Sequence, residues 1–350
     1  MQAASDLIKF AAAVLAGFSL WWGRPAAAAA TPLELYIPDP EIGIEFTNEI
    51  LAYLRTLAPH YGFELKEGYV STGDQRAELE QLFAAPEREQ ICPMLLSVRD
   101  VVAAQVAVER ARKGQVPVIF IVLDPGKSVL DSYTGAWHVG TNRRLAGAIE
   151  AEIIKDFLDT HSTWDRNGNG VLDYVLLRGE SEVGESALRS RVFKNTLTRL
   201  GIKAHILADK ICDLNEELAA QQLEQYLGEA GTAEVEAVIC NNDAQALGAV
   251  ATLQQHGFNN PQQPESLTIP VVGVDGTTRA LECIASGSML GTALQDPQQY
   301  AQVALQLLRK LIDGKDFDAA SQGVEFEGEA QLKLPFIRVE QKQAQLLLGQ

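Results

Sequence analysis

Basic side chains are few in this sequence: 29 Lys and Arg stand against 46 Asp and Glu in 350 residues, a net charge of −17. No Lys/Arg cluster is present, which removes the counterion-release term that nucleic-acid binding rests on and disfavours adhesion to anionic lipid. Partners are therefore expected among small molecules and proteins, not nucleic acids. Cysteine is also sparse. Cys92, Cys212, Cys240 and Cys283 show neither C-x-x-C spacing nor a regular framework, so buried free thiols are the expected reading, with one disulfide left open. The five histidines (60, 138, 161, 205 and 256) lack H-x-x-x-H spacing, which argues against a zinc site and reads as loop or surface positions. G-x-S-x-G and H-E-x-x-H are absent as well, so the common hydrolase signatures are missing.

What is present begins with a targeting pattern. Lys9 precedes an apolar run, Phe10 to Trp22, which leads through Arg24-Pro25 into an alanine tract ending at Ala30. The run is too short to span a membrane, and Ala28 and Ala30 fit an A-x-A cleavage site, so residues 1–30 are expected to be a secretory signal peptide with a mature start near Thr31. An uncleaved anchor is the alternative, because Asp6 weakens the positive end and Arg24 is unusual after the run. No cysteine lies near the cleavage region to carry a lipid.

The chain has material for two domains, with 47% hydrophobic and 21% charged residues over its full length, which excludes a disordered reading. Strand-like runs at 33–37, 63–66, 93–97 and 116–122 alternate with helical patterns near 46–58, 74–84 and 101–113. A second series places strands at 174–178, 203–207, 235–240 and 269–274, with helices near 141–158, 186–200, 215–227 and 243–256. Such alternation specifies parallel strands joined by right-handed helical crossovers, hence an α/β fold in two units. A strand at 289–294, a helix at 298–312 and a strand at 333–339 arrive after the second unit has enough strands, so the chain must cross back. Ligands bind such folds at the carboxyl ends of strands, and a cleft between two such edges can close on a hinge.

The sharpest local signal is Asp165-Arg-Asn167-Gly-Asn169-Gly170-Val171-Leu-Asp173. Oxygen-bearing side chains occupy positions 1, 3, 5 and 9, and glycine at 6 permits the turn that brings in the Val171 carbonyl, which is the pattern of a calcium loop. The position-12 carboxylate is missing, since Leu176 stands there, so a bidentate donor must come from elsewhere. An ordinary Asx-rich turn is the alternative.

The segments WDRNGNGVLDYVLLRGE (164–180), EAVICNNDAQALGAV (236–250) and IPVVGVD (269–275), with VPVIF (116–120) and LDSY…HVGT (130–141), resemble the periplasmic galactose/glucose-binding protein family, the type 1 sugar-binding proteins of ABC transporters. The resemblance runs in register over about 91–312 and more loosely from 33. It implies two Rossmann-like lobes joined by three crossing segments, a sugar in the cleft and one structural calcium. Residues 31–122 with 295–333 would form the N-terminal lobe, and 123–294 with 334–350 the C-terminal lobe. Calcium ligands would be Asp165, Asn167, Asn169, the Val171 carbonyl and Asp173, with Glu236 as the distant bidentate carboxylate.

The resemblance carries the sugar site onto Arg189, Asn242 and Asp275, with Glu185 where the family has aspartate, Gln295 and Ser97 where it has asparagines, and Phe46 as the N-lobe stacking aromatic. Two positions depart from it: Val183 replaces a histidine, and the C-lobe tryptophan aligns with Leu214 or Cys212. The key aspartate of the first turn has no clear match, with Glu45 or Glu41 as substitutes. Each unpaired hydroxyl partner costs about 1–3 kcal/mol, so the scaffold is better specified than the sugar. Read without the family, Asn242-Asp243 could simply cap the next helix and Arg189 could be a surface residue.

The implied function is a monomeric periplasmic binder, without catalysis, that delivers a monosaccharide or polyol to an ABC-transporter permease. Alternatives are a sensory component serving a chemoreceptor or histidine kinase, and, from another class, a calcium-dependent glycoside hydrolase using Glu185 with Asp275. A sugar-responsive repressor is disfavoured by the signal peptide and the absent DNA-binding headpiece.

Overall fold

The computed structural model describes residues 30–39, 45–71, 73–179, 185–261 and 267–349. The expected signal peptide up to residue 29, Glu41 and Val183 lie outside the described residues. In chain order the first series is β1 (Thr31–Pro38), α1 (Glu45–Leu57), β2 (Phe63–Val70), α2 (Gln75–Phe83), β3 (Met94–Leu96), α3 (Val101–Gly114), β4 (Val118–Ile121), α4 (Lys127–Leu130) and β5 (Ala136–Thr141). The second is α5 (Arg143–Thr160), β6 (Leu172–Arg178), α6 (Glu185–Arg199), β7 (Ala204–Ile211), α7 (Glu216–Ala230), β8 (Ala237–Cys240), α8 (Asp243–Gln255), β9 (Val271–Asp275), α9 (Thr278–Ser286) and β10 (Gly291–Leu294). The tail adds α10 (Pro297–Ile312), β11 (Glu325–Phe326), β12 (Gln331–Leu334), β13 (Ile337–Glu340) and α11 (Gln341–Leu347).

Two sheets result, in the orders β11-β12-β5-β4-β3-β1-β2 and β13-β10-β9-β8-β6-β7. Within each, the five strands of one series lie in the same doubly wound order: β2-β1-β3-β4-β5 and β7-β6-β8-β9-β10. These neighbours are parallel, and β11 and β13 are antiparallel additions. Residues of β4 and β8 are buried throughout, as expected for strands covered on both faces by crossover helices.

The chain crosses between lobes three times, after β5, after β10 and between β12 and β13. This corrects the expected boundary at 122, because β5 is an interior strand of the first sheet, between β4 and β12. Its sequence, Ala-Trp-His-Val-Gly-Thr, lacks a hydrophobic run, which is why it was not anticipated as a strand. The run 333–339 is likewise two strands in two sheets. Pro335 offers no N–H to a ladder, and the chain leaves β12 there for β13.

After the second crossing, α10 inserts Tyr300, Val303, Leu305, Leu307 and Leu308 into the first lobe's core, while α5 gives Ile153 and Ile154 to the second. All four cysteines are free. His138 departs from the expected surface placement: it lies fully buried in β5, and burial pushes its imidazole down to about 3.

The site-bearing turns are held by helix caps. Asp100, Asn142, Asn215, Asn242, Thr277 and Asp296 each accept an N–H at the start of the following helix, satisfying donors that would otherwise be orphaned.

Helices α5 and α6 approach to backbone contact at Gly147, where a Cβ would lie 2.3 Å from the Arg189 carbonyl oxygen. Gly147→Ala is expected to push the helices apart and lower stability by about 1–3 kcal/mol, measured by urea unfolding; an unchanged midpoint would show that the crossing is loose.

Candidate ligand-binding site

The polar residues singled out in the sequence sit on βα turns, at the carboxyl ends of strands. In the second lobe, Asp275 ends β9 and is 5% exposed. Its backbone has φ 121° and Gly276 follows at 75°, an unusual conformation for a non-glycine residue that a surrounding structure must enforce. The enforcing group is Asp243. Its Oδ2 accepts the N–H of Gly276 and of Thr277 at 2.7 and 2.8 Å, and its Oδ1 accepts the Thr292 hydroxyl at 2.7 Å. Burial and the neighbouring Asp275 push the Asp243 carboxyl well above the usual carboxylate range, against the pull of those three donors.

Gln295, at the second crossing, joins the lobes. Its Nε2 donates to Asp275 Oδ1 at 2.8 Å, while its Oε1 accepts from Thr141 Oγ1 at 3.2 Å and from the Tyr300 hydroxyl at 3.1 Å. Thr141 lies at the first crossing, so one amide ties two of the three connections to Asp275. Arg189, on the first turns of α6, is 8% exposed and donates Nη1 to the Asn241 carbonyl at 2.7 Å. Asn241 in turn accepts Gly179 N–H and pairs with Ser190.

The other predicted residues fall into place differently. The Asn242 side chain caps α8, accepting Gln245 N–H at 3.0 Å, and donates to the Leu214 carbonyl at 3.2 Å. Its amide is therefore partly used by the fold, with one N–H and one oxygen lone pair beyond these two bonds. Ser97 follows β3, and among the described residues its buried Oγ has no hydrogen-bond partner. Phe46 is 2% exposed and packs edge-on against Tyr300, ring centroids 5.7 Å apart, within the first lobe's core. Glu185 begins α6, but its side chain lies outside the described residues, so the Glu185–Asp275 pair is not placed. Cys212 is fully buried and Leu214 adopts φ 58°.

A second cluster forms around the 165–173 loop. Asp165 accepts Asn169 and Gly170 N–H at 3.0 Å each, and Asn167 Oδ1 accepts Asn169 N–H at 3.0 Å. Both asparagine amides donate to Asp173 Oδ2, at 2.9 and 2.8 Å. Glu236, 1% exposed, reaches the loop from just before β8: its two oxygens accept Arg166 N–H at 2.7 Å and Asp173 N–H at 2.9 Å. Burial holds the Glu236 carboxyl above its ordinary range. For Asp173 burial works the same way, but hydrogen bonds from Asn167, His205 and Asn169 outweigh it and leave the carboxyl lowered. Among the described residues no group of three or more His, Cys, Asp or Glu is arranged as a metal cage; the loop mixes carboxylates with amides.

The lips of the two lobes touch opposite the hinge. Glu49 of α1 accepts both the N–H and the hydroxyl of Thr278, at 3.1 and 2.9 Å, at the start of α9. Beside it Glu45 lies 3.7 Å from Arg279, which is held bidentately by Glu216 at 2.7 and 2.9 Å. A carboxylate at a helix N-terminus is stabilised by the unpaired N–H groups there, so this contact holds the two lobes to one another.

Sequence reasoning missed Thr141, Asn241, Asp243 as the anchor of the Asp275 turn, and Glu150. Glu150 left a signal. It falls in the buried stripe Ala146, Gly147, Ala151, Ile153, Ile154, Phe157 of α5, where a charged residue is out of pattern.

A family model described as a periplasmic binding protein domain matches residues 40–316. The chain is 27% identical over 248 residues to the D-galactose/methyl-galactoside binding periplasmic protein MglB of Haemophilus influenzae, covering 71% of each protein. It is similar in fold to an ABC transporter periplasmic solute binding protein from Actinobacillus succinogenes with bound D-allose, at TM-score 0.72 and 16% identity, over 90% of this chain and 99% of that one. An ABC transporter solute binding protein from Bacillus halodurans with bound myo-inositol gives 0.70 and 17%, over 93% and 99%.

Glu49→Ala removes the lip contact, so the free protein is expected to show a larger radius of gyration in small-angle scattering. An unchanged profile would mean that the contact does not hold the lobes.

Proposed function

This chain belongs to the periplasmic binding protein domain family, and on that footing we propose that it captures a neutral monosaccharide or related polyol between its lobes and delivers it to the permease of an ABC transporter. The observation that carries the reading is the Asp275–Gln295–Thr141 connection, which links a buried carboxylate in the cleft to two of the three hinge segments. Hydroxyls that both donate and accept are matched by carboxylate, amide and guanidinium groups. Asp275, Arg189 and Gln295, with Ser97 just after β3, offer that set of groups at the strand ends and first helical turns of the two lobes. Relatives of the chain are described as binding galactosides, and similar folds hold D-allose and myo-inositol, which places hydroxyl-rich neutral rings first among candidates.

Binding and closure, without bond breaking, account for these groups. Secretion to the periplasm is part of the same reading, and among the described residues no helix is long and apolar enough to cross a membrane. The expected outcome is a rise in melting temperature with one class of sugar or polyol, about 2.7 kcal/mol of stabilisation at a hundredfold excess over Kd. Asp275→Ala should lose that rise while remaining folded by circular dichroism; retained affinity would mean the cleft is used differently.

A structural calcium ion belongs to the proposal. Asp165, Asn167, Asn169, the Val171 carbonyl, Asp173 and Glu236 would hold it. The residues fit in donor type, since all six would offer oxygen, and Asp165 and Asp173 both act to raise Glu236, a repulsion that a hard cation bound between them would relieve. When bound, the ion would tie the loop to the strand and stabilise the second lobe. Chelator is expected to lower the wild-type melting temperature by several degrees and to leave Glu236→Gln unmoved; a wild type indifferent to chelator sinks the site.

A further inference from the structure

The two lobes share one strand order, and the fourth strand of each series gives way to the same unusual backbone. In the second lobe β9 ends at Asp275 with φ 121°; in the first, β4 is followed at once by Val122 with φ 67°. Among the described non-glycine residues with positive φ, Val122 is the only one branched at Cβ, and that branching makes the left-handed region costly. The turn around it is tight. Leu123 N–H donates to the Ile121 carbonyl at 2.8 Å, closing three residues, while Val122 N–H donates to the Val139 carbonyl at 3.1 Å. A three-residue turn with a positive central φ is the rare, strained form, and it persists only where the surroundings hold it. Asp124 fixes the segment that follows: its Oδ1 accepts Gly126 N–H at 2.8 Å, and its Oδ2 pairs at 2.6 Å with Arg143, the first residue of α5.

Two connections place Val122 beside the candidate site. It packs, partly buried, against the core cluster that contains Phe46 and Tyr300, and the Tyr300 hydroxyl donates to Gln295 Oε1 at 3.1 Å. Its backbone is bonded to Val139, two residues before Thr141 on β5, and Thr141 donates to the same Gln295 oxygen at 3.2 Å. Gln295 in turn holds Asp275 of the other lobe. At equivalent positions, then, the first lobe has an isopropyl group and the second a carboxylate. Glycine or asparagine would occupy the left-handed region at lower cost, so this turn carries a valine against its own backbone preference.

We propose that Val122 determines specificity: the ligand is a neutral ring that turns hydroxyls toward Asp275 and Gln295 and a deoxygenated carbon, a CH2 or methyl group, toward Val122. A hydroxyl pressed against an isopropyl group gives up its water and gains no partner. A CH2 or methyl group in the same place loses no hydrogen bond and buries apolar area. The ligand half of this inference rests on the binding reading above and narrows it. The strain in the turn does not depend on that reading.

The experiment measures Kd by titration calorimetry for D-galactose, D-glucose, D-ribose and myo-inositol, each beside its monodeoxy forms, with the wild type, Val122→Asn and Val122→Ala. The wild type is expected to bind one monodeoxy form about tenfold to a hundredfold more tightly than its parent. Val122→Asn, which offers an amide to the missing hydroxyl, should lose or reverse that preference, and Val122→Ala, smaller but still apolar, should keep its direction. The free variants are melted together with Val122→Gly. All three lose the isopropyl packing, but glycine and asparagine fit the left-handed region, so Val122→Gly and Val122→Asn should melt above Val122→Ala. Binding of every monodeoxy form no tighter than its parent by the wild type, or a preference unchanged in Val122→Asn, overturns the proposal and leaves the binding reading standing. Val122→Ala melting highest of the three variants removes the strained turn on which the proposal is built. If no ring in the panel binds any of these proteins, the binding reading falls and takes the proposal with it.

Discussion

Parallel pairing of strands is the constraint on which this molecule is built. A parallel neighbour can be reached only by a crossover, and a right-handed crossover puts every βα turn at the same edge of its sheet. Both lobes obey it with the same strand order, so each collects its turns along one carboxyl edge, and the two edges face each other across the crossings. Ser97, Asn241, Asn242, Asp275 and Gln295 all lie at carboxyl ends of strands for that reason. The helix caps on these turns follow from the same geometry, since each helix begins where a strand has just ended.

Charge is the second organising term. The second lobe buries Glu150, Asp243 and Asp275, which repel one another, while the Arg189 guanidinium acts on Glu150. Such an arrangement is tolerable when each acid is either hydrogen-bonded or neutral, and the lobe uses both solutions. Asp243 spends its oxygens on the Asp275 turn and thereby sustains a backbone conformation that Asp275 would not adopt alone. The first lobe solves a similar problem differently: Glu34, fully buried in β1, accepts the Tyr36 hydroxyl at 3.0 Å and lies 3.5 Å from Arg110 and 3.9 Å from Arg88. There two cations near one carboxylate meet the desolvation cost.

Much of the fold was legible because long apolar runs and helical spacing are local properties. The runs at 116–122 and 235–240 read as strands, and the structure has strands at Val118–Ile121 and Ala237–Cys240. β5 escaped because its residues include His138 and Gly140, and only neighbours on both sides make a strand of them. The boundary at 122 was misplaced for the same reason. In the candidate site, the spacing of Asp165, Asn167, Asn169 and Asp173 pointed to a loop that the structure joins to Glu236. The Asn242 amide shows the opposite case: a residue type suited to a hydroxyl-rich ligand is used here as a helix cap. Glu150 could have been found from its place in an apolar stripe, yet nothing local to α5 identifies Arg189 and Asp275 as its neighbours.

The sequence by itself determined the α/β alternation, the two series of strands and the turn that gathers oxygens at 165–173, because hydrophobic period and turn chemistry act over a few residues. Tertiary structure alone decided which sheet each tail strand joins, which acids are buried beside one another, and that Gln295 reaches Thr141 across 154 positions while holding Asp275. Those outcomes depend on desolvation and on hydrogen bonds between segments remote in the chain. Their energies exist only once the two edges have been brought face to face.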